Sequence, residues 1–212
     1  MITVHTFVFN FFSVNTYILS DETGECAIID PGCSSPVEEN ELETFISRNR
    51  LQPVRLLNTH LHVDHILGNV FVSEKYGIET EVHPQGRPFW GTAREFASVF
   101  GIRLEKVQTP RHFLNHGDTV SFGNALLHVL YTPGHADGSI CLVNHEQKFV
   151  IAGDVLFYGS IGRTDLPTGN FERLINSIET QLLTLPDDYT VYPGHGQTTT
   201  IGYEKQNNSY FL

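Results

Sequence analysis

THLHVDH, residues 59–65, decides how the rest of this chain reads. Three histidines and one aspartate (His60, His62, Asp64, His65) fall within six positions, directly after the apolar run PVRLL at 53–57. Polar crowding of this kind costs free energy in a folded chain unless the groups find partners, and a metal ion is a partner for lone pairs. In HxH the two histidines lie on the same side of an extended backbone and can reach one ion together. Asp64 and His65 are adjacent and must point differently, which suits a second ion.

Three further apolar runs end in a similar way. ALLHVLYTPGH sets His135 just past a strand, KFVIAGD sets Asp154 there, and YTVYPGH sets His195 there. Each of these ligand candidates follows a glycine, where the chain is expected to turn sharply. Strand ends in an open sheet converge on one edge, a common place for a site. His60, His62, Asp64, His65, His135, Asp154 and His195 meeting there would suit two divalent cations. Asp154 is the natural bridge, because a carboxylate can serve two cations at once. Imidazole and carboxylate donors suit zinc, and iron or manganese as well. His5, His83, His112, His116, His128 and His145 stand alone and read as surface or satisfied core residues.

Around these runs the chain reads as strands with interspersed helices. Residues 2–30 suggest a β meander, and Ser35, Pro36 and Glu38 open a helix with a capping-box spacing. Helices are expected over about 66–76 and 85–100, strands recur from 112 to 152, and Asn170 caps an amphipathic helix carrying Phe171, Leu174, Ile175, Ile178 and Leu182. The pattern predicts an α+β protein of two packed sheets with helices outside. A net charge of −11 argues against nucleic acid, whose phosphates need a basic face. Three widely spaced cysteines make no disulfide framework and fit a reducing compartment. No apolar stretch approaches the roughly 20 residues of a membrane span, and the N-terminus lacks a signal pattern, so a cytoplasmic protein is expected. The oligomeric state is not legible.

THLHVDH, together with His135, GD at 153–154 and GH at 194–195, resembles the metallo-β-lactamase fold superfamily over nearly the whole chain. GDVLFYGSIGRTDLPTGN (153–170) and GHGQTTTIGYEKQNN (194–208) are similar to its small glyoxalase II-like hydrolases. The resemblance implies one domain over 1–212, an αββα four-layer sandwich with mixed sheets, and a site along one edge of the facing sheets. It implies that His60, His62 and His135 hold a first metal, that Asp64, His65 and His195 hold a second, and that Asp154 bridges them. Asp64 and Asp154 are the catalytic candidates. Asp30, in IIDPG, matches a position that buttresses metal ligands from behind, or else is a turn aspartate before Pro-Gly.

A site of two cations suits attack on a carbonyl carbon, with the developing oxyanion stabilised electrostatically. A thioester fits well, because its leaving thiolate derives from a thiol of pKa about 8.5 and needs no strong general acid. The expected substrate is a small acyl thiol, S-lactoylglutathione or a similar S-acyl compound. Tyr158, Arg163, Asn15 and Phe12 are its candidate contacts, although Arg163 and Asp165 also suit a structural ion pair. Larger glyoxalase II enzymes add a basic C-terminal domain that grips glutathione; this chain ends soon after His195, which leaves the carrier thiol open. The competing readings are a mononuclear-iron persulfide dioxygenase of the same superfamily and a non-catalytic binding module on the same fold.

Overall fold

The β-rich N-terminal run forms the expected meander. In the computed structural model, which describes residues 1–212, β1 (Thr3–Phe9), β2 (Val14–Ser20) and β3 (Glu25–Ile29) pair antiparallel. β4 (Gln52–Leu57), β5 (Thr80–Val82) and β6 (His112–Phe113) then add in parallel, giving a six-stranded mixed sheet in sequence order. The parallel steps need crossovers, and helices supply them. α1 (Pro36–Arg48) links β3 to β4, and Ser35 caps it by accepting from Glu38 N while Glu38 accepts from Ser34 and Ser35. α2 (Val63–Ile66) and α3 (Asn69–Tyr76) link β4 to β5. The single helix expected over 66–76 is therefore two. The break falls at Gly68, where a side chain would meet Cys33 Sγ at 2.3 Å and the backbone N–H donates to Pro31 O at 2.7 Å. α4 (Arg87–Val99) leads to β6.

The second half builds a second six-stranded sheet. β7 (Thr119–Phe122), β8 (Ala125–Tyr131), β9 (Ile140–Asn144) and β10 (Phe149–Gly153) pair antiparallel. A small hairpin, β11 (Leu156–Phe157) and β12 (Ser160–Ile161), leaves the sheet and precedes α5 (Phe171–Ser177), which continues as a π-helical turn to Leu182. β13 (Thr190–Pro193) returns parallel to β10, and β14 (Thr199–Thr200) with α6 (Ile201–Asn207) closes the chain.

Period-two side chains assign the layers. Tyr17, Leu19, Ala27, Ile29 and Leu57 of the first sheet pack against Leu127, Val129, Ile140, Leu142 and Ile151 of the second. Ile18, Ile28 and Leu56 turn the other way, onto Leu42, Ile46 and Val72 of the first sheet's helices. Val143, Val150 and Val191 likewise meet Leu174, Ile178, Leu182 and Ile201. The order is helix, sheet, sheet, helix.

At one end the facing sheets are stitched together. Asn15 N donates to Gly194 O at 2.7 Å, Tyr17 Oη donates to Pro193 O at 2.5 Å, and Ile140 N donates to Thr59 O at 2.8 Å. The sites of all these bonds are the residues around the strand ends that carry histidine and aspartate.

Candidate metal centre

The chain ends β4 at Leu57 and turns through Asn58 and Thr59 into THLHVDH, so His60 and His62 precede α2 while Asp64 and His65 lie within it. His135 follows β8, Asp154 follows β10 and His195 follows β13. Gly134 has φ +132° and packs so closely that a side chain would meet Leu174 N at 2.2 Å. Gly194 needs no unusual φ; it is bare because a Cβ would come within 2.1 Å of Asp154 Oδ1.

These turns bring all seven predicted ligands together. His60 Nε2, His62 Nδ1 and His135 Nε2 lie within 2.9–3.3 Å of one another. Asp64 Oδ2 lies 3.5 Å from His65 Nε2 and 3.2 Å from His195 Nε2. Asp154 sits between the two groups: Oδ1 is 3.4 Å from His65 Nε2, and Oδ2 is 3.6 Å from both His135 Nε2 and His195 Nε2.

Hydrogen bonds behind the site decide which ring nitrogens face it as lone pairs. His135 Nδ1 contacts Arg163 O at 2.8 Å, and His195 Nδ1 contacts Phe12 O at 3.1 Å. A carbonyl only accepts, so both Nδ1 atoms carry a proton and both Nε2 atoms are left to face the site. His65 Nδ1 donates to Asp30 Oδ2 at 3.0 Å, with the same outcome. Thr59 Oγ1 donates to Asp30 Oδ2 at 2.6 Å, so it is free to accept from His60 Nδ1 at 3.2 Å. Asp30 thus orients His65 directly and His60 through Thr59. It holds φ +49°, as a turn residue before Pro-Gly does, and also accepts from Thr59 N at 2.7 Å.

The electrostatics agree. Burial, with neighbouring imidazoles, keeps His60 and His135 neutral, and burial pushes His62 down to about 3. Burial would raise the Asp64 and Asp154 carboxyls, but the histidines around them outweigh it and hold both ionised. Burial opposes charge on His65 and His195 too, and there the aspartates prevail and raise them, so the space between these Nε2 atoms and the carboxylates favours positive charge, whether a proton or a cation. His65 Nε2 and Asp154 Oδ1 are buried without a hydrogen-bond partner. Neutral imidazoles on one side, and ionised carboxylates that favour positive charge beside His65 and His195 on the other, are a donor set that fits divalent cations.

A cavity of about 440 Å³ opens beside Asp64, His135, Asp154 and His195. Of the expected substrate contacts, Phe12 and Arg163 line it. Asn15 does not: its buried amide donates to Pro193 O and Gly196 O, both at 2.9 Å, and so ties β2 to the turn after β13. Tyr158 does not line it either, being stacked on Tyr203 at 4.7 Å with the hydroxyls 2.8 Å apart. Arg163 and Asp165 form the ion pair, with two contacts of 2.7 Å. Sequence reasoning missed Thr59 and the lining residues Phe96, Phe100 and Phe157. Thr59 stands inside the motif, whereas the phenylalanines carry no local signal.

Comparisons with known proteins point the same way. Residues 9–195 match the family described as the Metallo-beta-lactamase superfamily. The chain is 36% identical to the hydroxyacylglutathione hydrolase GloC of Haemophilus influenzae, over 94% of this chain and 93% of that protein. The crystal structure of TTHA1623 in a di-iron-bound form superposes with a TM-score of 0.87 at 32% identity, covering 97% of this chain and 99% of that one. The BLEG-1 B3 metallo-beta-lactamase superposes with a TM-score of 0.87 at 30% identity, covering 99% and 100%.

Proposed function

We infer the reaction from one premise: the chain belongs to the metallo-beta-lactamase superfamily, whose members bind divalent metals and are typically hydrolases. Within that class we assign it the hydrolysis of a thioester. His60, His62 and His135 would hold one cation, Asp64, His65 and His195 a second, and Asp154 both. Zinc suits the donors, and the di-iron form of a structural neighbour supports iron equally. Bound there, the cations would acidify a water and polarise the substrate carbonyl.

The chain's own residues do the rest. Asp64 lines the cavity as an ionised carboxylate and accepts a hydrogen bond from the attacking water, fixing its direction. Asp30 and Thr59 hold the Nδ1 protons of His65 and His60, so each Nε2 is the nitrogen that would face a cation. Arg163 O does the same for His135.

One observation favours a thioester over an amide. No tyrosine or lysine lines the cavity, so beyond Asp64 and a metal-bound water no dedicated acid stands ready to protonate a departing amine. A thiolate leaves without that help. Similarity to a hydroxyacylglutathione hydrolase supports the same substrate class. Similarity to a B3 metallo-beta-lactamase favours a second reading, cleavage of a β-lactam. Assays of thiol release from acyl thioesters and of a chromogenic cephalosporin separate them. Thioesters are expected to give kcat/KM about a hundredfold higher or more, a difference of about 2.7 kcal/mol in barrier. A cephalosporin turned over as fast would overturn the thioester assignment.

A further inference from the structure

The cavity is walled by phenylalanines that hydrolysis itself does not require, and they bear on which thioester is cleaved; this inference rests on the reading above. Phe12 comes from the turn after β1, Phe96 and Phe100 from the end of α4, and Phe157 from β11. Phe12 meets Phe100 edge to face at 5.1 Å, Phe96 meets Phe100 at 5.5 Å, and Phe157 lies 6.4 Å from the His195 ring. Segments far apart in sequence therefore supply one aromatic wall.

The wall is fixed to the metal-binding residues. Asn10 Oδ1 accepts from Phe12 N at 2.9 Å, while its amide donates to Gly32 O at 2.9 Å and to Asp64 O at 3.1 Å. The turn bearing Phe12 is thus held in register with Asp64. Among the lining phenylalanines Phe100 is 43% exposed, and Phe11, which packs on Phe12 at 4.1 Å, is 67% exposed. Exposed aromatics grouped around a cavity are surface that an apolar ligand would cover.

Charge points the same way. Apart from histidines, Arg163 is the cavity's one cationic lining residue, and Asp165 closes on it with two contacts of 2.7 Å. Beyond the metal centre, a carrier thiol bearing carboxylates finds no unpaired cationic side chain there, on a protein of net charge −11.

We propose that the cavity takes an apolar acyl group, aryl-sized, presented as the thioester of a carrier that sets no carboxylate against it. The reaction balances as simple hydrolysis: water adds to the carbonyl, the carbon–sulfur bond breaks, and acid and thiol leave.

Two measurements on the metal-loaded protein test this. In the first, acetyl, hexanoyl and phenylacetyl groups are each joined to N-acetylcysteamine and to glutathione. On the neutral carrier, kcat/KM is expected to rise about three- to fourfold per added methylene until the wall is filled. Phenylacetyl is expected to exceed acetyl at least tenfold, and glutathione to give no advantage over the neutral carrier for the same acyl group. Phe100→Ser, at an exposed position, is expected to flatten the acyl profile. Asp165→Asn, which frees the guanidinium, is expected to raise the glutathione-to-neutral ratio. A flat profile in the unaltered protein, or a tenfold preference for glutathione, would overturn the inference while leaving thioester hydrolysis intact.

The second measurement is calorimetric binding of the inert thioethers S-(2-phenylethyl)- and S-ethyl-N-acetylcysteamine. The aryl compound is expected to bind at least tenfold more tightly. If no thioester is cleaved, hydrolysis fails as the reading, and this binding ratio still decides the cavity's preference: equal affinities would end it.

Discussion

At the scale of single residues, the chemistry depends on which atoms face the site and which are tied down behind it. Asp154 lies within 3.6 Å of nitrogens in both ligand groups. Asp154→Asn should abolish turnover and lower metal content while the circular dichroism spectrum stays native, because strand packing is untouched. Asp30→Asn replaces one of the carboxyl oxygens behind His65 and Thr59, and a fall in metal affinity of about 10–100-fold is expected by competition with a chromogenic chelator. Unchanged affinity would mean that Asp30 only shapes the turn. His83 gives a test of pH dependence away from the site. Burial holds its pKa below the ordinary histidine value, Asp137 opposing in part, and its Nδ1 accepts from Gln85 N at 3.2 Å. The folded state therefore refuses a proton that the unfolded chain accepts at about pH 6.5. Nothing is lost above that pH, and stability falls as pH drops through it. His83→Asn keeps an acceptor for Gln85 N and should show a smaller fall in Tm between pH 7.5 and 5.5; parallel Tm curves would contradict this. The seven ligand candidates were legible because each stands in a dense motif or just past a strand. Asn15 was misread because its partners, Pro193 and Gly196, lie in the last strand region, and nothing near Asn15 in sequence signals them.

At the scale of elements, the β11–β12 hairpin shows how a far segment shapes the cavity. Phe157, Ser160 and Ile161 line the cavity from this hairpin, and α6 grips it from outside. Buried Glu204 accepts from Gly159 N at 3.0 Å, Thr199 Oγ1 at 2.5 Å and Asn208 Nδ2 at 2.7 Å, and Asn208 also donates to Ser160 O at 3.1 Å. Glu204→Ala strands those donors, and a loss of about 2–4 kcal/mol is expected in chemical denaturation, with KM raised more than kcat falls. A stability within about 0.5 kcal/mol of the parent would show that the clamp contributes nothing. The sequence signalled α1 and α5 through their caps and apolar stripes, and both form with Ser35 and Asn170 capping as expected. It did not signal β14 or α6. β14 is only two residues long, and α6 is a short helix capped by Thr200 that exists because Ile201 packs on the second sheet's helices. Short elements held by tertiary contacts leave little periodicity to read.

At the scale of the whole molecule, two mixed sheets face each other with helices outside, the α+β architecture expected from the strand-rich pattern. Sheet order was not legible, because it depends on pairings between strands distant in sequence, such as β10 with β13. The convergence of the candidate ligands was legible, since four strand ends carry them. His60, His62, Asp64 and His65 follow the first sheet, and His135, Asp154 and His195 follow strands of the second. Cations held by both groups would tie the sheets together, so ions that bind only the folded state should stabilise it. Removing them with a chelator should lower Tm by about 5–10 °C, and restoring them should recover it. The most direct test of the central claim is metal content per chain, measured by inductively coupled plasma mass spectrometry after loading with zinc or iron and removal of excess. Two ions per chain are expected, falling below two in Asp154→Asn. A protein that retains no ion under any loading would contradict the account, as would a single ion whose retention does not depend on Asp154.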